Sequence, residues 1–445
     1  KGWAKTALPN TTFVPAPGDR TAIWLRRTIP GGQQGRTFLQ FDAAGKAANL
    51  FIDGKRADRW MDSWSPYRVE ITSYLRGKAS VEVALRCSDK GELYADGFLP
   101  PKGAPDSALE GKVLWPLGGY HDAIGAALPI RLLTRPQAFI ADHDLKIVTS
   151  VRRGTITVEG RADGAKAGTT VKLHTTDSDG RIRKLGRAVL DGKGRWSLKA
   201  SFPKARLWSP ESPHLYHLTA QLDDERGRVL DVTRVRFGFR EVWTEGAFFF
   251  LNGVRRNLLS TSTWPVTARI SKAEIRLRLL AVKASNAIAF RLHIGPWQSE
   301  FYEIADEIGL MLIGEAPNYT DGSGIYAYKD PRFWRNYESV IKGLIKDKIN
   351  HPSLIMWSLG NETLFMGNLS RDKDLPKKMG DLARFARMVD ATRLYYYSAD
   401  HDPDGAYDMI GLHYPHELPN QHAYPVICDW LGTEKQTEAG GGMLG

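Results

Sequence analysis

The apolar run Ile355-Met-Trp-Ser-Leu leads directly into Gly360, Asn361 and Glu362. Glycine permits close backbone approach, so a carboxylate and an amide here sit together at the end of an extended segment. A carboxyl group with a raised pKa can protonate a leaving oxygen near neutral pH, as cleavage of a glycosidic bond requires, and Asn361 could hydrogen-bond a neighbouring hydroxyl. The bland alternative makes Glu362 the first-turn acid of a following helix, favoured there by the helix dipole; taken alone, that alternative wins. Other polar residues end other apolar runs: Arg291 and His293, Glu315, Asp400, then His413 and Tyr414. One such residue is more often a loop cap than a catalyst. Candidates converging from five strand ends favour a shared site, because a parallel barrel gathers the C-terminal ends of its strands.

The elements that must position these residues begin near Gly246, where the pattern changes to strands alternating with amphipathic helices. Strands are expected at 257–262, 287–293, 310–315, 354–359, 394–398 and 409–413, six where a closed barrel needs eight. Ser271-Lys-Ala-Glu274 has the form of a capping box, followed by Ile275, Leu279 and Val282 on one face. Further helices are predicted around Phe301–Ile308, with Gly309 as the stop, and from Phe333 through Ile345. Upstream lie two β regions. From Thr21 to Leu133, short runs separated by turns suit a β-sandwich, with Asp53-Gly54 as a hairpin turn. After Arg135-Pro136, strands near 145–151, 155–159, 171–175, 196–200 and 215–222 suit an immunoglobulin-like sandwich. The expected domains are 1–137, 138–243 and 244–445: a jelly-roll-like β-sandwich, an immunoglobulin-like β-sandwich and an incomplete α/β TIM barrel.

At 445 residues the chain exceeds one ordinary core, which agrees with several domains. No stretch approaches the roughly 20 apolar residues that span a bilayer, so no membrane role is expected. Lys1 stands first and no apolar leader precedes the first strands, so a targeting peptide is expected to be absent or removed, and localisation stays open. Cys87 and Cys428 match neither a disulfide framework nor a metal-ligand spacing. The net charge of +11 invites a nucleic-acid reading, but lysine and arginine are spread along the chain without blocks or interleaved aromatics. A nucleic-acid partner is therefore not expected.

The chain resembles glycoside hydrolase family 2, the β-galactosidase, β-glucuronidase and β-mannosidase group, through essentially its whole length. Trp24-Leu-Arg-Arg27, Phe51-Ile-Asp-Gly54 and Trp115 through Gly119-Tyr-His-Asp122 resemble that family's sugar-binding sandwich. Leu207-Trp-Ser-Pro-Glu-Ser-Pro213, Asp231 and Arg236-Phe-Gly-Phe-Arg240 resemble its immunoglobulin-like domain. Phe250-Leu-Asn-Gly253, Asn286, Arg291, His293, Phe301-Tyr302, Ala305-Asp306-Glu307 and Gly309 continue the likeness, and Asn361-Glu362 resembles its acid/base signature. The resemblance implies a retaining exo-β-glycosidase, β-galactoside first among substrates and β-glucuronide or β-mannoside as alternatives. It implies Glu362 as catalytic acid/base, with Asn361, His293, Arg291, Glu315, His413 and Tyr414 around the sugar. No metal or cofactor is implied, the partner is a carbohydrate, and homo-oligomerisation is left open.

Two departures qualify the likeness. The family nucleophile is a Glu after a Pro-led apolar strand; the local match, Tyr424-Pro-Val-Ile-Cys-Asp-Trp430, offers Asp429 and is a residue short. The seventh strand and its Glu are accordingly expected beyond Gly445, which makes the chain a C-terminally truncated fragment in this reading. Leu258-Leu-Ser-Thr-Ser-Thr-Trp264 also replaces an Arg-Gly pair and a later acid at the first barrel strand, which weakens any choice of sugar. The rival reading is a non-catalytic carbohydrate-binding protein or an inactive fragment.

Overall fold

The computed structural model describes residues 10–13, 22–44, 47–61, 65–88, 123–126, 128–263, 270–293, 297–318, 328–364, 373–398, 402, 405–410 and 443–444. His413, Tyr414, Asp400 and Asp429 lie outside them.

The N-terminal region pairs a four-stranded antiparallel sheet (Ala22–Pro30, Ser80–Ser88, Ala47–Ile52, Lys55–Trp60, in that order) with a three-stranded one (Tyr67–Glu70, Arg36–Phe41, Ile130–Arg135). Leu39, Phe41, Leu50, Ile52, Val81 and Leu85 fill the space between them. The Asp53-Gly54 turn forms as the sequence suggests: both residues have positive φ (47° and 74°), and Ile52 pairs with Lys55 across it. The partner strand Lys55–Trp60 is polar, as the hairpin reading expects and as a strand at the edge of its sheet tolerates.

The middle region stacks Phe139–Ile140, Thr155–Asp163, Lys146–Ser150 and Arg195–Ser201 against Ile182–Val189, Thr170–Asp177, Tyr216–Asp223 and Val229–Phe237. Three turns repeat one device. Asp177, Asp191 and Asp224 each turn a carboxylate oxygen to accept from the backbone N–H groups two and four residues on, closing the loop around a positive-φ glycine.

The third region contains the five-stranded parallel sheet that bears the candidate site: β1 (Ser260–Thr263), β2 (Ala289–Leu292), β3 (Met311–Glu315), β4 (Leu354–Asn361) and β5 (Leu394–Ser398), in sequence order. The sixth expected strand is present as the short β6 (Met409–Ile410), which pairs in parallel with Met443–Leu444. β1 begins later than predicted and is exposed along its whole length. Helices α1 (Lys272–Ala284), α2 (Ser299–Ile308), α3 (Pro331–Lys348) and α4 (Asp374–Val389) pack on the outer face. Ser271 caps α1 by accepting from the Glu274 N–H, at 3.2 Å, while the Glu274 carboxylate pairs with Arg278. Gly309 ends α2 in the left-handed conformation, φ 71°.

Alternation along the strands sorts the side chains. Phe290, Leu292, Leu312, Tyr395 and Tyr397 face the helices, while Ala289, Met311, Ile313, Leu394 and Tyr396 face inward. A three-stranded antiparallel sheet (Val242–Glu245, Phe248–Leu251, Val254–Arg256) adds Val242, Phe249 and Leu251 to that inner cluster. The middle region is latched to this base by residues that carried the family resemblance. Arg240 donates to the carbonyls of Pro352, Leu354 and Thr392 (3.1, 2.8 and 2.8 Å). Trp208 Nε1 donates to the carbonyl of Asp306, and the Asp306 carboxylate accepts from Ser353 and Arg236.

Candidate active site

The polar candidates occupy the next inward positions beyond the apolar ones: Arg291 and His293 follow Ala289, Glu315 follows Ile313, and Ser398 follows Tyr396. A period of two therefore places apolar side chains low in the sheet and polar ones at its C-terminal end, on the same face.

Strand β4 reaches that face through an irregularity. Ser358 pairs with Tyr396 and Asn361 with Ser398, so three residues of β4 advance against two of β5. The extra residue is a β-bulge, a feature that re-aims side chains. It brings Asn361 to the inward position that Gly360 would otherwise hold. Gly360 accepts the close packing this entails: a Cβ there would lie 2.9 Å from Thr363 Oγ1, 3.0 Å from the Tyr397 ring and 3.1 Å from Asn318 Nδ2. The backbone is then tied at both residues, Asn361 N–H to the Asn318 carbonyl and Glu362 N–H to the Ser398 carbonyl, each at 2.8 Å. Glu362 adopts φ 53°, a left-handed conformation that a non-glycine residue holds only when its surroundings compel it. It is not the first-turn acid of a helix, since its own φ is left-handed, 362–364 form a bend and turn, and among the described residues the next helix begins at Asp374.

The side chains form one network. Arg291 Nε donates to Glu315 Oε2 at 2.7 Å, and its Nη2 reaches both the same oxygen and Asn361 Oδ1, the latter at 2.6 Å. His293 Nδ1 lies 2.9 Å from Glu315 Oε1. A carboxylate paired with a guanidinium can only accept, so the imidazole proton belongs on Nδ1 and Nε2 is left as the acceptor in the neutral ring. Burial opposes the Arg291 charge, yet Glu315, with smaller contributions from Tyr396 and Glu362, holds its pKa above the usual arginine value. Tyr396 is pushed up to about 12, chiefly by burial. Glu362, Asn361, Glu315 and His293 are all buried.

Arg291, His293, Glu315, Asn361 and Glu362 are thus gathered at one end of the sheet; His413, Tyr414 and Asp429 lie outside the described residues. The Glu315 side chain has 0% exposure, with one oxygen on Arg291 and the other on His293. Sequence reasoning missed Asn318, Tyr396 and Ser398. Ser398 and Tyr396 could have been found by continuing the alternation of Leu394-Tyr-Tyr-Tyr-Ser398 to its end, whereas Asn318 acts through its backbone carbonyl, which any residue carries. Among the described residues, no group of three or more His, Cys, Asp or Glu is arranged to hold a metal ion, and no helix is long and apolar enough to cross a membrane.

Comparison with known proteins agrees with this architecture. Residues 242–436 match the Glycosyl hydrolases family 2 TIM barrel domain, and residues 138–240 match a second domain described as Glycosyl hydrolases family 2. The chain is 27% identical over 444 residues to β-galactosidase 2 of Enterobacter cloacae, covering 95% of this chain and 40% of that protein. It is 28% identical over 356 residues to a β-galactosidase of Aeromonas hydrophila, covering 74% and 32% respectively. The crystal structure of a Bacteroides uniformis β-glucuronidase superposes with a TM-score of 0.74 at 21% identity, covering 92% of this chain and 51% of that one. The chain therefore spans about a third to two fifths of these two curated relatives. With two family domains matched in order, and β-sandwiches followed by a parallel barrel sheet, the chain belongs to glycoside hydrolase family 2.

Proposed function

We propose that this chain supplies the acid/base half of a retaining β-glycosidase site that removes terminal β-linked sugars, with a β-galactoside as the first substrate to test and a β-glucuronide or β-mannoside as alternatives. The observation that carries the reading is Glu362, held at positive φ beside a bulge and close to the Arg291 network. The β-galactosidase names of the curated relatives support the class of sugar, and the β-glucuronidase neighbour keeps the uronide in view.

In this reading Glu362 protonates the glycosidic oxygen as a second carboxylate attacks the anomeric carbon, and the aglycone leaves as its alcohol. Glu362 then takes a proton from water, which displaces the carboxylate and releases the sugar with its configuration retained. Asn361 and His293 bind sugar hydroxyls, and His413 and Tyr414 complete the sugar's surroundings. Arg291 holds Asn361 in place. Glu315 is assigned a different part from the one first expected: it orients Arg291 and His293 and does not touch the sugar. Asp429, a residue short of the family pattern, is only a weak local match for the attacking carboxylate.

The test is kinetic, on the full-length protein. Glu362→Gln removes the proton donor and keeps the shape. An aryl β-glycoside whose phenolate leaves unaided should still glycosylate the enzyme, while deglycosylation stalls for want of a base. Azide needs no deprotonation and should restore turnover, giving a β-glycosyl azide. Near-normal rates on an unactivated disaccharide would remove Glu362 from the chemistry.

A further inference from the structure

The middle region contains an uneven share of the charge. Residues 138–240 have 20 Lys and Arg against 12 Asp and Glu, a net +8 of the chain's +11. The fold concentrates part of this excess on one surface, the outer face of the sheet Ile182–Val189, Thr170–Asp177, Tyr216–Asp223, Val229–Phe237. Three adjacent rows cross it. Arg187 pairs with Lys172; Lys184 with His174, then Thr219 and Arg234; and Thr176 with His217 and Arg236. The acids offsetting these rows sit at their margins: Asp223 on Lys172, and Glu307 with Asp306 on Arg236. Lys184, Arg187 and Arg234 are exposed. Like charges on facing strands are destabilising, so the arrangement works against the stability of the sheet. Burial, then the charges of Arg234 and Arg236, hold His217 below the usual histidine value. The opposite sheet offsets its cations locally: Lys146 pairs with Glu159, and the facing Arg161 and Arg195 each carry carboxylate partners, Asp144 and Asp163 on Arg161 and Asp191 on Arg195. From His217, Arg234 and Arg236 the face runs into a groove of about 1090 Å³ between the three regions, where Arg68, Arg135 and Lys346 line the wall together with Asp142, Glu303, Glu307 and Asp347.

We propose that this face is a docking surface for an acidic polysaccharide, a chain bearing carboxylate or sulfate groups at regular intervals. Lys184 and Arg234 stand at the two ends of one row, three strand spacings or about 14 Å apart, a span that suits an extended polyanion better than a single small anion. The rows contain no Phe, Tyr or Trp, so they lack the stacking platforms that single-stranded nucleic acid uses. The choice of polysaccharide rests on the sugar-cleaving reading above. A second point of attachment on the same chain would raise the effective concentration of substrate ends at the barrel.

The test is retention of the full-length protein on immobilised polygalacturonate, heparin, dextran and single-stranded DNA. The expected result is retention by polygalacturonate or heparin that weakens steadily with salt, with none by dextran; which of the two binds separates carboxylate from sulfate recognition. Lys184→Gln/Arg187→Gln/Arg234→Gln should weaken it by about tenfold or more through the loss of three charge contacts. The triple variant should melt no lower than the parent, because it relieves repulsion. Lys166→Gln/Lys193→Gln/Lys199→Gln removes the same charge from other exposed positions and should leave retention intact. Equal loss in both variants, no loss in the first, or retention by single-stranded DNA as strong as by either polysaccharide overturns the proposal. Hydrolysis of a small aryl glycoside by the same preparations reports on the catalytic reading separately, since it needs no docking.

Discussion

Glu362 combines a carboxylate with a backbone conformation that favours glycine. Holding an L-residue in the left-handed region costs about 1 kcal/mol or more, and a site that keeps such a residue pays in stability for position. Glu362→Gly should therefore raise the unfolding free energy by about 1 kcal/mol while abolishing turnover; a urea titration beside an activity assay checks both halves. A drop in stability would show that contacts of the side chain outweigh the strain. Glu315 makes the opposite case. Its buried carboxylate neutralises a guanidinium that is itself largely enclosed, and breaking such a pair costs about 3–5 kcal/mol. Glu315→Gln, nearly the same in shape, is expected to lose stability on that scale and to lower kcat/KM, while Glu315→Asp recovers part of each. Unchanged stability with a raised KM would return Glu315 to the role of a sugar contact.

At the scale of the element, β4 decides where the site points. Its bulge lets Asn361 take the inward position opposite Ser398, and Gly360 makes room for the turn that follows. Gly360→Ala should cost about 1–3 kcal/mol by overpacking against Thr363, Tyr397 and Asn318. Because these neighbours define the path of residues 361 and 362, catalysis should suffer more than stability does. Measuring kcat/KM and the melting temperature of this variant beside those of an overpacked position in another sheet tests that ordering. The helix start at Ser271 and the stop at Gly309 were legible from local chemistry, since a cap satisfies its own backbone, whereas the helix Asp374–Val389, which has no side-chain cap, was not. Nor was the bulge, because it depends on the register of a partner strand more than thirty residues away.

For the whole molecule, ion pairs reinforce the joints between regions. Asp142 accepts from Arg68 and Arg135 of the N-terminal region, and Asp144 from Arg161 and from Lys346 of α3. Burial acts to raise both carboxyl pKa values, but hydrogen bonds and charges from His143, Arg68 and Arg135 at Asp142, and from Lys346, His143 and Arg161 at Asp144, lower them overall. A carboxyl depressed in the folded state contributes stability above its unfolded pKa of about 3.9, which is lost as pH falls through the folded value. The denaturation midpoint should therefore decline below about pH 4, and Asp142→Asn should flatten that decline while lowering stability at neutral pH. An unchanged acid limb would mean that these joints do not govern acid unfolding.

Residue types and their order were enough to establish the family, the β-sandwich and barrel regions, and the strand ends where Arg291, His293, Glu315, Asn361 and Glu362 stand. Hydrophobic period, turn residues and caps are local properties, and a run of several family motifs in order is specific. Tertiary structure alone decided which of these residues touch: that Glu315 faces Arg291 and His293 and not open space, that Glu362 is held in a left-handed turn, and that Arg240, Trp208 and Asp306 bind the middle region to the barrel. It also gathered on one sheet lysines and arginines that look evenly scattered in the sequence. Alternation sends every second residue to one face and pairing sets distant segments side by side, so contact depends on register, and register is fixed only when the strands meet.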